Sequence, residues 1–248
     1  MNAFLRDWFG LAYDFNWAII FEERYYSLVL TGLKYTALLT IVTTAASVPL
    51  GIIVGVMRSS EQYVLRRVAG VYVEVFRNIP GMFWVLFFYF GFPTLLPGPW
   101  GRALNSYPHF TLLAAILGLT FDNSSYVAEI MRAGIQSLVV GQHEAARSIG
   151  LTDWQRWRYV ILPQAIRTVV PPLGTRCIQN LKSTSLAMVI AVPELSWATR
   201  QVESLSFRGF EVTTIATVIY VSLCLVMAAG VNWLERRLAR RHGLSPAV

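Results

Sequence analysis

Long apolar runs alternate with short polar segments along most of the chain. Each run reaches or exceeds the ~20 residues that a helix needs to cross the hydrocarbon core of a membrane. The pattern predicts five membrane helices, over residues 28–57, 68–95, 111–135, 165–192 and 212–233. Pro80 and Gly81 fall near the middle of the second run, and we expect them to bend or interrupt it, because proline lacks an amide donor and crowds the preceding turn.

The proline-rich stretch around residues 93–101 is predicted to be an external turn rather than a helix. Hydrophobic residues make up 55% of the chain and charged residues 14%, well below the charged share of about 25% in soluble domains. Composition therefore indicates an all-helical integral membrane protein. A chain of 248 residues with five spans has no room for a separate soluble catalytic domain, so any energy source must be another protein chain.

The net charge of +7 does not indicate nucleic-acid binding, since the basic residues are spread over short loops rather than gathered on one face. Most arginines near span ends would lie on one side if the loops around residues 58–67 and 136–163 and the C-terminal tail are cytoplasmic. The expected organisation is a periplasmic N-terminal segment, residues 1–27, a membrane domain, residues 28–235, and a cytoplasmic tail, residues 236–248.

The polar loop 136–163 carries an ordered pattern of small, acidic and turn-forming residues. Glu144 would suit the positive end of a short helix, and the alanines after it allow another surface to approach closely. Gly150 permits a sharp turn, and Thr152 or Asp153 could cap a following helix that begins near Trp154.

The spacing is Glu144-Ala145-Ala146, three residues, Gly150, nine residues, then Val160-Ile161-Leu162-Pro163. It resembles the EAA loop of permease subunits of binding-protein-dependent ABC importers, with Val160 at a position where that pattern has Ile. The resemblance implies that the loop is a coupling helix that docks on an ATPase subunit. The residues to which it assigns this contact are Gly141, Glu144, Ala145, Ala146, Gly150, Leu162 and Pro163.

Two further stretches, residues 74–80 and 128–135, are similar to motifs of the polar amino-acid uptake branch of these permeases. The resemblance implies a type I ABC importer permease fold with five transmembrane helices, in a bacterial inner membrane. It implies a chain that forms half of the pore for glutamate, aspartate or glutamine. The implied partners are an ABC ATPase dimer, a second permease, identical or paralogous, and a periplasmic amino-acid-binding protein. ATP and Mg²⁺ would bind to the ATPase, so no cofactor is expected in this chain.

Ionisable side chains inside the spans are costly and should be paired or line a wet cavity. Glu74 with Arg77, and Glu129 with Arg132, are spaced by three residues and can pair along one helix face. We interpret both as structural ion pairs, with a role in a gate as the alternative.

A polar run near the middle of the fourth predicted helix would be costly against lipid. With Asp122 of the third helix, it is the candidate substrate pathway. The candidates are Gln179, Asn180, Lys182, Ser183, Ser185 and Asp122. The alternatives are a packing seam between two permease chains or a Lys182 that extends to the membrane surface. Asp122 could meet a substrate amino group, but we expect it to neutralise Lys182.

Two other functions could use a chain of this composition. A membrane-embedded enzyme would need a nucleophile with a base or a metal set, yet the three histidines lie in loops or the tail. The chain has no Gly-x-Ser-x-Gly, His-Glu-x-x-His or Walker A sequence, so neither a metal site nor ATP hydrolysis is expected. A passive channel could use the same five spans, but it would not need the Glu144 loop.

Overall fold

A computed structural model describes residues 15–138, 146 and 148–241, except for the side chains of residues 166, 167 and 238–241. Regular structure in this part of the chain is helical. After a 3-10 turn at Trp17–Phe21, the helices are α1 (Glu23–Arg58), α2 (Tyr63–Asn78), α3 (Gly81–Leu95), α4 (Gly98–Asn105), α5 (Phe110–Gln136), α6 (Leu162–Ser183), α7 (Leu195–Ser206) and α8 (Gly209–Arg241). Two turns, Asp153–Arg156 and Trp157–Ile161, lead into α6, and a 3-10 segment, Thr184–Ile190, follows it.

The break predicted at Pro80 is confirmed. The axes of α2 and α3 differ in direction by 103°, and Ile79 between them is extended, with φ −107° and ψ 130°. The ring of a proline disfavours the helical conformation of the residue before it, so α2 cannot continue past Asn78. The predicted helix over 68–95 is thus two helices in different directions.

Two helices are long and apolar enough to cross a membrane, Glu23–Arg58 and Gly209–Arg237. The bent pair of α2 and α3 gives a third if it is counted as one span. α5 has 27 residues and α6 has 22, but both carry charged and polar side chains within them. Length and apolar character alone therefore support two or three spans in the described residues, rather than five.

Two local predictions are wrong. The stretch around residues 93–101 is not only a turn, because α4 begins at Gly98. Pro97 precedes the helix and Pro99 lies in its first turn, where a missing amide costs no helical hydrogen bond. The predicted helix over 165–192 is regular only to Ser183 and then tightens to a 3-10 segment, which ends at Ala191 in the left-handed region (φ 60°).

Sequence reasoning also missed α7. It is a short amphipathic helix whose buried positions, Leu195, Ala198, Thr199 and Val202, follow helical spacing. The carboxylate of Glu194 caps it by accepting hydrogen bonds from the amides of Ser196 (2.9 Å) and Trp197 (2.8 Å). The Glu194 cap and the helical spacing of apolar residues are the sequence signals that could have predicted α7.

The core of the fold is the contact between α1 and α5. Small residues recur on α1 at every fourth position, and all are buried: Thr43, Ser47, Gly51 and Gly55. A Cβ atom on Gly51 would overlap the Val127 side chain, and one on Gly55 would overlap Met131. Small residues at such positions let two helix backbones approach closely, which is how helices associate where no hydrophobic force drives them together.

α5 is surrounded by its neighbours. It contacts α1, α2, α3 and α6, and its buried residues lie on all sides of the helix rather than in one stripe. Gly118 packs against the backbone of Val85 in α3, where a Cβ atom would lie 2.8 Å from Val85 Cα. Enclosure by other helices is the reason that α5 can carry polar and charged residues along its length.

Candidate functional site

Part of the predicted coupling contact, namely Gly141, Glu144 and Ala145, lies outside the described residues. Ala146 is buried. Gly150 has φ +76°, in the left-handed region that favours glycine, and so forms the predicted turn.

The helix start predicted after this turn is confirmed at Thr152. The Gln155 amide donates to the Thr152 hydroxyl (3.3 Å), and the Thr152 amide donates to the Gln155 side-chain oxygen (2.9 Å). This reciprocal pair is a capping box, which satisfies amides at the helix start. Downstream, Leu162 is half-buried and Pro163 is exposed in the first turn of α6.

Three arginines converge on one carboxylate, Glu129 of α5. Arg132 and Arg58 form ion pairs with it, and the Nη1 atom of Arg77 lies 3.7 Å from its Oε2 atom. The predicted pair of Glu129 with Arg132 is confirmed. The predicted pair of Glu74 with Arg77 is wrong: Glu74 is exposed, and Arg77 points to Glu129 instead. An exposed pair on one helix contributes little, whereas Glu129 offers Arg77 a less hydrated partner.

A second charged pair lies deeper in the helix bundle. Arg176 of α6 donates from Nη2 to Asp122 of α5 at 3.2 Å, and both side chains are about nine-tenths buried (12% and 10% exposed). Its guanidinium also lies over the Tyr126 ring, 3.9 Å from the centroid. The expectation that Asp122 neutralises Lys182 is therefore wrong, because Arg176 occupies that place.

Amide side chains extend this pair to α1. Arg176 donates from Nε to Asn123, which in turn donates to the Ser47 hydroxyl at 2.6 Å. One turn later on α6, Asn180 donates to the hydroxyls of Thr43 (2.7 Å) and Thr44 (2.9 Å). These bonds connect α1, α5 and α6 in the interior, where an unpaired polar group would be costly.

The predicted pathway residues do not share one face of the fourth predicted helix. Gln179 and Lys182 are exposed, whereas Asn180 is buried against α1. Ser183 and Ser185 donate back to the carbonyls of Gln179 (3.1 Å) and Lys182 (2.8 Å), so both hydroxyls are satisfied locally. Gln179 and Lys182 are therefore the polar residues of this run whose side chains are exposed and could contact a substrate.

Arg176 is a member of this buried polar cluster to which sequence reasoning assigned no role. Arg176 is a cation within one predicted span, and Asp122 is an anion within another. Because charged residues inside a membrane usually pair, the sequence could have predicted this contact. In the described residues, no group of three or more His, Cys, Asp or Glu side chains is placed to hold a metal ion.

Known proteins are similar to this chain over most of its length. A family model described as "Binding-protein-dependent transport system inner membrane component" matches residues 47–240. The chain is 36% identical over 227 residues to the "Probable glutamine ABC transporter permease protein" of Bacillus subtilis (strain 168), covering 92% of this chain and 100% of that protein. It is 32% identical to the "Glutamate/aspartate import permease protein" of Escherichia coli O157:H7, covering 92% and 100%.

Solved structures agree in fold. A structure described as "Crystal structure of an amino acid ABC transporter with histidines" has a TM-score of 0.76 and 32% identity, covering 92% of this chain and 100% of that chain. An inward-facing structure of the MetNI methionine ABC transporter has a TM-score of 0.73 at 21% identity, covering 87% and 98%, and supports the fold alone.

Replacing Arg176 by Met should destabilise the protein, because it leaves the Asp122 carboxylate buried without its partner. Breaking a buried pair from one side costs about 3–5 kcal/mol, which should appear as a lower apparent Tm of the purified protein. The double variant Arg176→Met/Asp122→Asn should recover part of this loss. Arg102→Met, at an exposed site, is the control and should change stability by less than about 0.5 kcal/mol. Strictly additive losses in the double variant would contradict the pairing.

Proposed function

The chain belongs to the family of inner-membrane components of binding-protein-dependent transport systems, and we propose that it forms one half of a two-chain pore that carries polar amino acids. It is the permease of an amino-acid ABC importer, a multi-pass inner-membrane protein. The ATPase is a separate subunit in this family, so this chain is not an enzyme and holds no cofactor. An ATPase and a binding protein are its partners.

The exposed face of α6 supports the half-pore. Its exposed polar positions, Thr168, Thr175, Gln179 and Lys182, fall on one side of a helix that turns about 100° per residue. A polar stripe with a lysine would be costly against lipid. Water and a second permease chain are environments that such a face tolerates. This stripe is the observation that carries the proposal.

We propose five spans of the type I importer kind: α1, the bent pair α2 and α3, α5, α6 with its 3-10 extension, and α8. Two of these helices, α5 and α6, are not apolar enough to be identified as spans from composition. Other helices enclose α5, and the polar face of α6 would line the pore. Both exceed the ~20 residues that a span requires.

The proposed orientation follows the distribution of arginines. It places residues 1–27 in the periplasm, and the loop 136–163 and the tail 236–248 in the cytoplasm. The second permease would be an identical chain or a paralogue. Each copy would present its own α6 stripe to the shared pore.

The proposed cargo is an amino acid of the glutamine, glutamate or aspartate class. Proteins named as permeases for glutamine and for glutamate and aspartate are similar to this chain over nearly its whole length. Lys182 supports an amino acid as the cargo, because an exposed ammonium on the polar face of α6 can attract the carboxylate that every free amino acid carries.

The proposed mechanism is mechanical. Closure of the ATPase dimer would draw the two Glu144 loops together and open the pore towards the loaded binding protein, and hydrolysis would return it to the inward state. Such switching is a population shift, in which each partner binds one of the two states more tightly. Large exposed apolar side chains within the predicted loop motif support a docking surface there: Ile149, Trp154 and Tyr159 are 75%, 73% and 67% exposed.

A passive channel is the remaining alternative, and Glu144 distinguishes it from a coupled importer. Glu144→Lys should lower both ATPase association and uptake at least tenfold, because it reverses a charge within the proposed contact. Uptake by proteoliposomes and co-purification of the ATPase measure the two effects. Uptake that persists at the wild-type rate without the ATPase would favour the channel. Glu203→Lys, which reverses a charge in the last turn of α7, is the control.

Lys182→Met tests the pathway. The side chain is exposed and forms no ion pair with another described residue, so its loss should leave assembly and Tm unchanged. Transport should fall about tenfold, with stimulation of the ATPase by the binding protein retained, since one cation–carboxylate contact is worth about 1–3 kcal/mol. Unchanged transport would show that Lys182 lies outside the pathway.

A further inference from the structure

A buried arginine, Arg156, lies in the turn between the Thr152 cap and α6, with only 2% of its side chain exposed. Its Nη2 atom donates to Glu61 at 3.2 Å and forms an ion pair with Asp153, whose Oδ1 atom lies 3.0 Å away. Glu61 lies in the short turn between α1 and α2, and 95 positions of sequence separate it from Arg156. The guanidinium therefore joins the segment that follows the Glu144 loop to the end of α1.

This arrangement is poor as a source of stability. The Nε and Nη1 atoms of Arg156 are buried and have no hydrogen-bond partner among the residues that the structure describes, and each unsatisfied buried donor costs free energy. Both carboxylates that face Nη2 are exposed, Glu61 at 70% and Asp153 at 76%. Water screens these anions, so their attraction offsets little of the cost of burying the cation.

An apolar side chain of similar length would suit the site better for folding alone. If Arg156 were replaced by Met, both carboxylates would stay hydrated and no buried charge would be left without a partner. This differs from Arg176, whose removal would strand a buried Asp122. A residue that folding does not favour, in a link between two distant segments, needs another explanation.

The two segments that Arg156 joins lead to different helices. Downstream, Ile161, Ala165 and Val169 pack against Met131 and Ile135 of α5, so the end of this segment and the start of α6 share one contact with α5. On the other side, the Glu61 turn ends α1, which packs on α5 along its small residues. A displacement of the loop can thus reach α6 through the chain and α1 through Arg156.

We propose that Arg156 is a positioning residue for energy coupling, which transmits movement of the loop 136–163 to the α1–α2 turn through Glu61. This inference rests on the proposed function, in which the ATPase moves that loop. It adds a second route, by which one cytoplasmic displacement moves α1 as well as α6, two of the three helices that share the interior polar network.

The test uses the complete transporter in liposomes, with ATPase, second permease and binding protein, and measures the amino acid transported per ATP hydrolysed. Arg156→Met should lower this ratio about fivefold or more, while the Tm of the complex stays the same or rises and the ATPase remains bound. Arg156→Lys should restore part of the ratio. An unchanged ratio in Arg156→Met overturns the proposal, whatever happens to the Tm. If the Tm falls while the ratio is unchanged, the role of Arg156 is structural.

Glu61→Gln provides a second variant at an exposed site, in case Arg156→Met does not assemble. It should lower the ratio, and the double variant should be no worse than Arg156→Met alone, because the two residues act as one link. A wild-type ratio in Glu61→Gln overturns the proposal. Arg158→Met removes an exposed arginine from the same segment and should keep the wild-type ratio. If Glu144→Lys leaves transport intact, the proposed function fails, whereas an effect of Glu144→Lys without one of Arg156→Met rejects this link alone.

Discussion

The rest of the structure depends on the cost of placing charge in hydrocarbon. α5 carries a carboxylate at Asp122 and another at Glu129, and neither can face lipid without a partner. The fold meets this constraint by surrounding α5 with α1, α2, α3 and α6. Each neighbour except α3 supplies a polar side chain to α5: Ser47 from α1, Arg77 from α2 and Arg176 from α6. The helices that meet lipid most fully can then be apolar, as α8 is.

The small residues and the Pro80 break are consequences of the same enclosure. Helices that share buried hydrogen bonds must lie close together, and Gly51 and Gly55 permit that approach on α1. The change of direction after Ile79 places α3 along α5, with Gly81 beside Asp122, where a Cβ atom would lie 3.1 Å from the carboxylate oxygen. The buried carboxylate of Asp122 thus explains why a glycine follows the Pro80 break.

Sequence patterns predicted what depends on local chemistry. The Pro80 break, the turn at Gly150, the cap at Thr152 and the Glu129–Arg132 pair follow from one residue or one helical turn. The partner of Asp122 could not be predicted, because Arg176 and Lys182 lie on one helix and only its rotation against α5 chooses between them. Arg77 likewise pairs with Glu129 rather than Glu74, because α2 packs on α5 and brings Glu129 within reach. The stripe of small residues on α1 and the buried spacing of α7 were readable signals that hydropathy alone passes over.

The enclosure of α5 can be measured directly in membranes with the native sequence. An apolar photoreactive reagent dissolved in the lipid of proteoliposomes would label side chains in contact with acyl chains, and mass spectrometry would locate the labels. The account predicts strong labelling of α8 at Val218, Leu225 and Val226, which are 60%, 65% and 73% exposed, and little labelling of α5 between residues 114 and 131. Labelling of α5 to the same extent as α8 would contradict it.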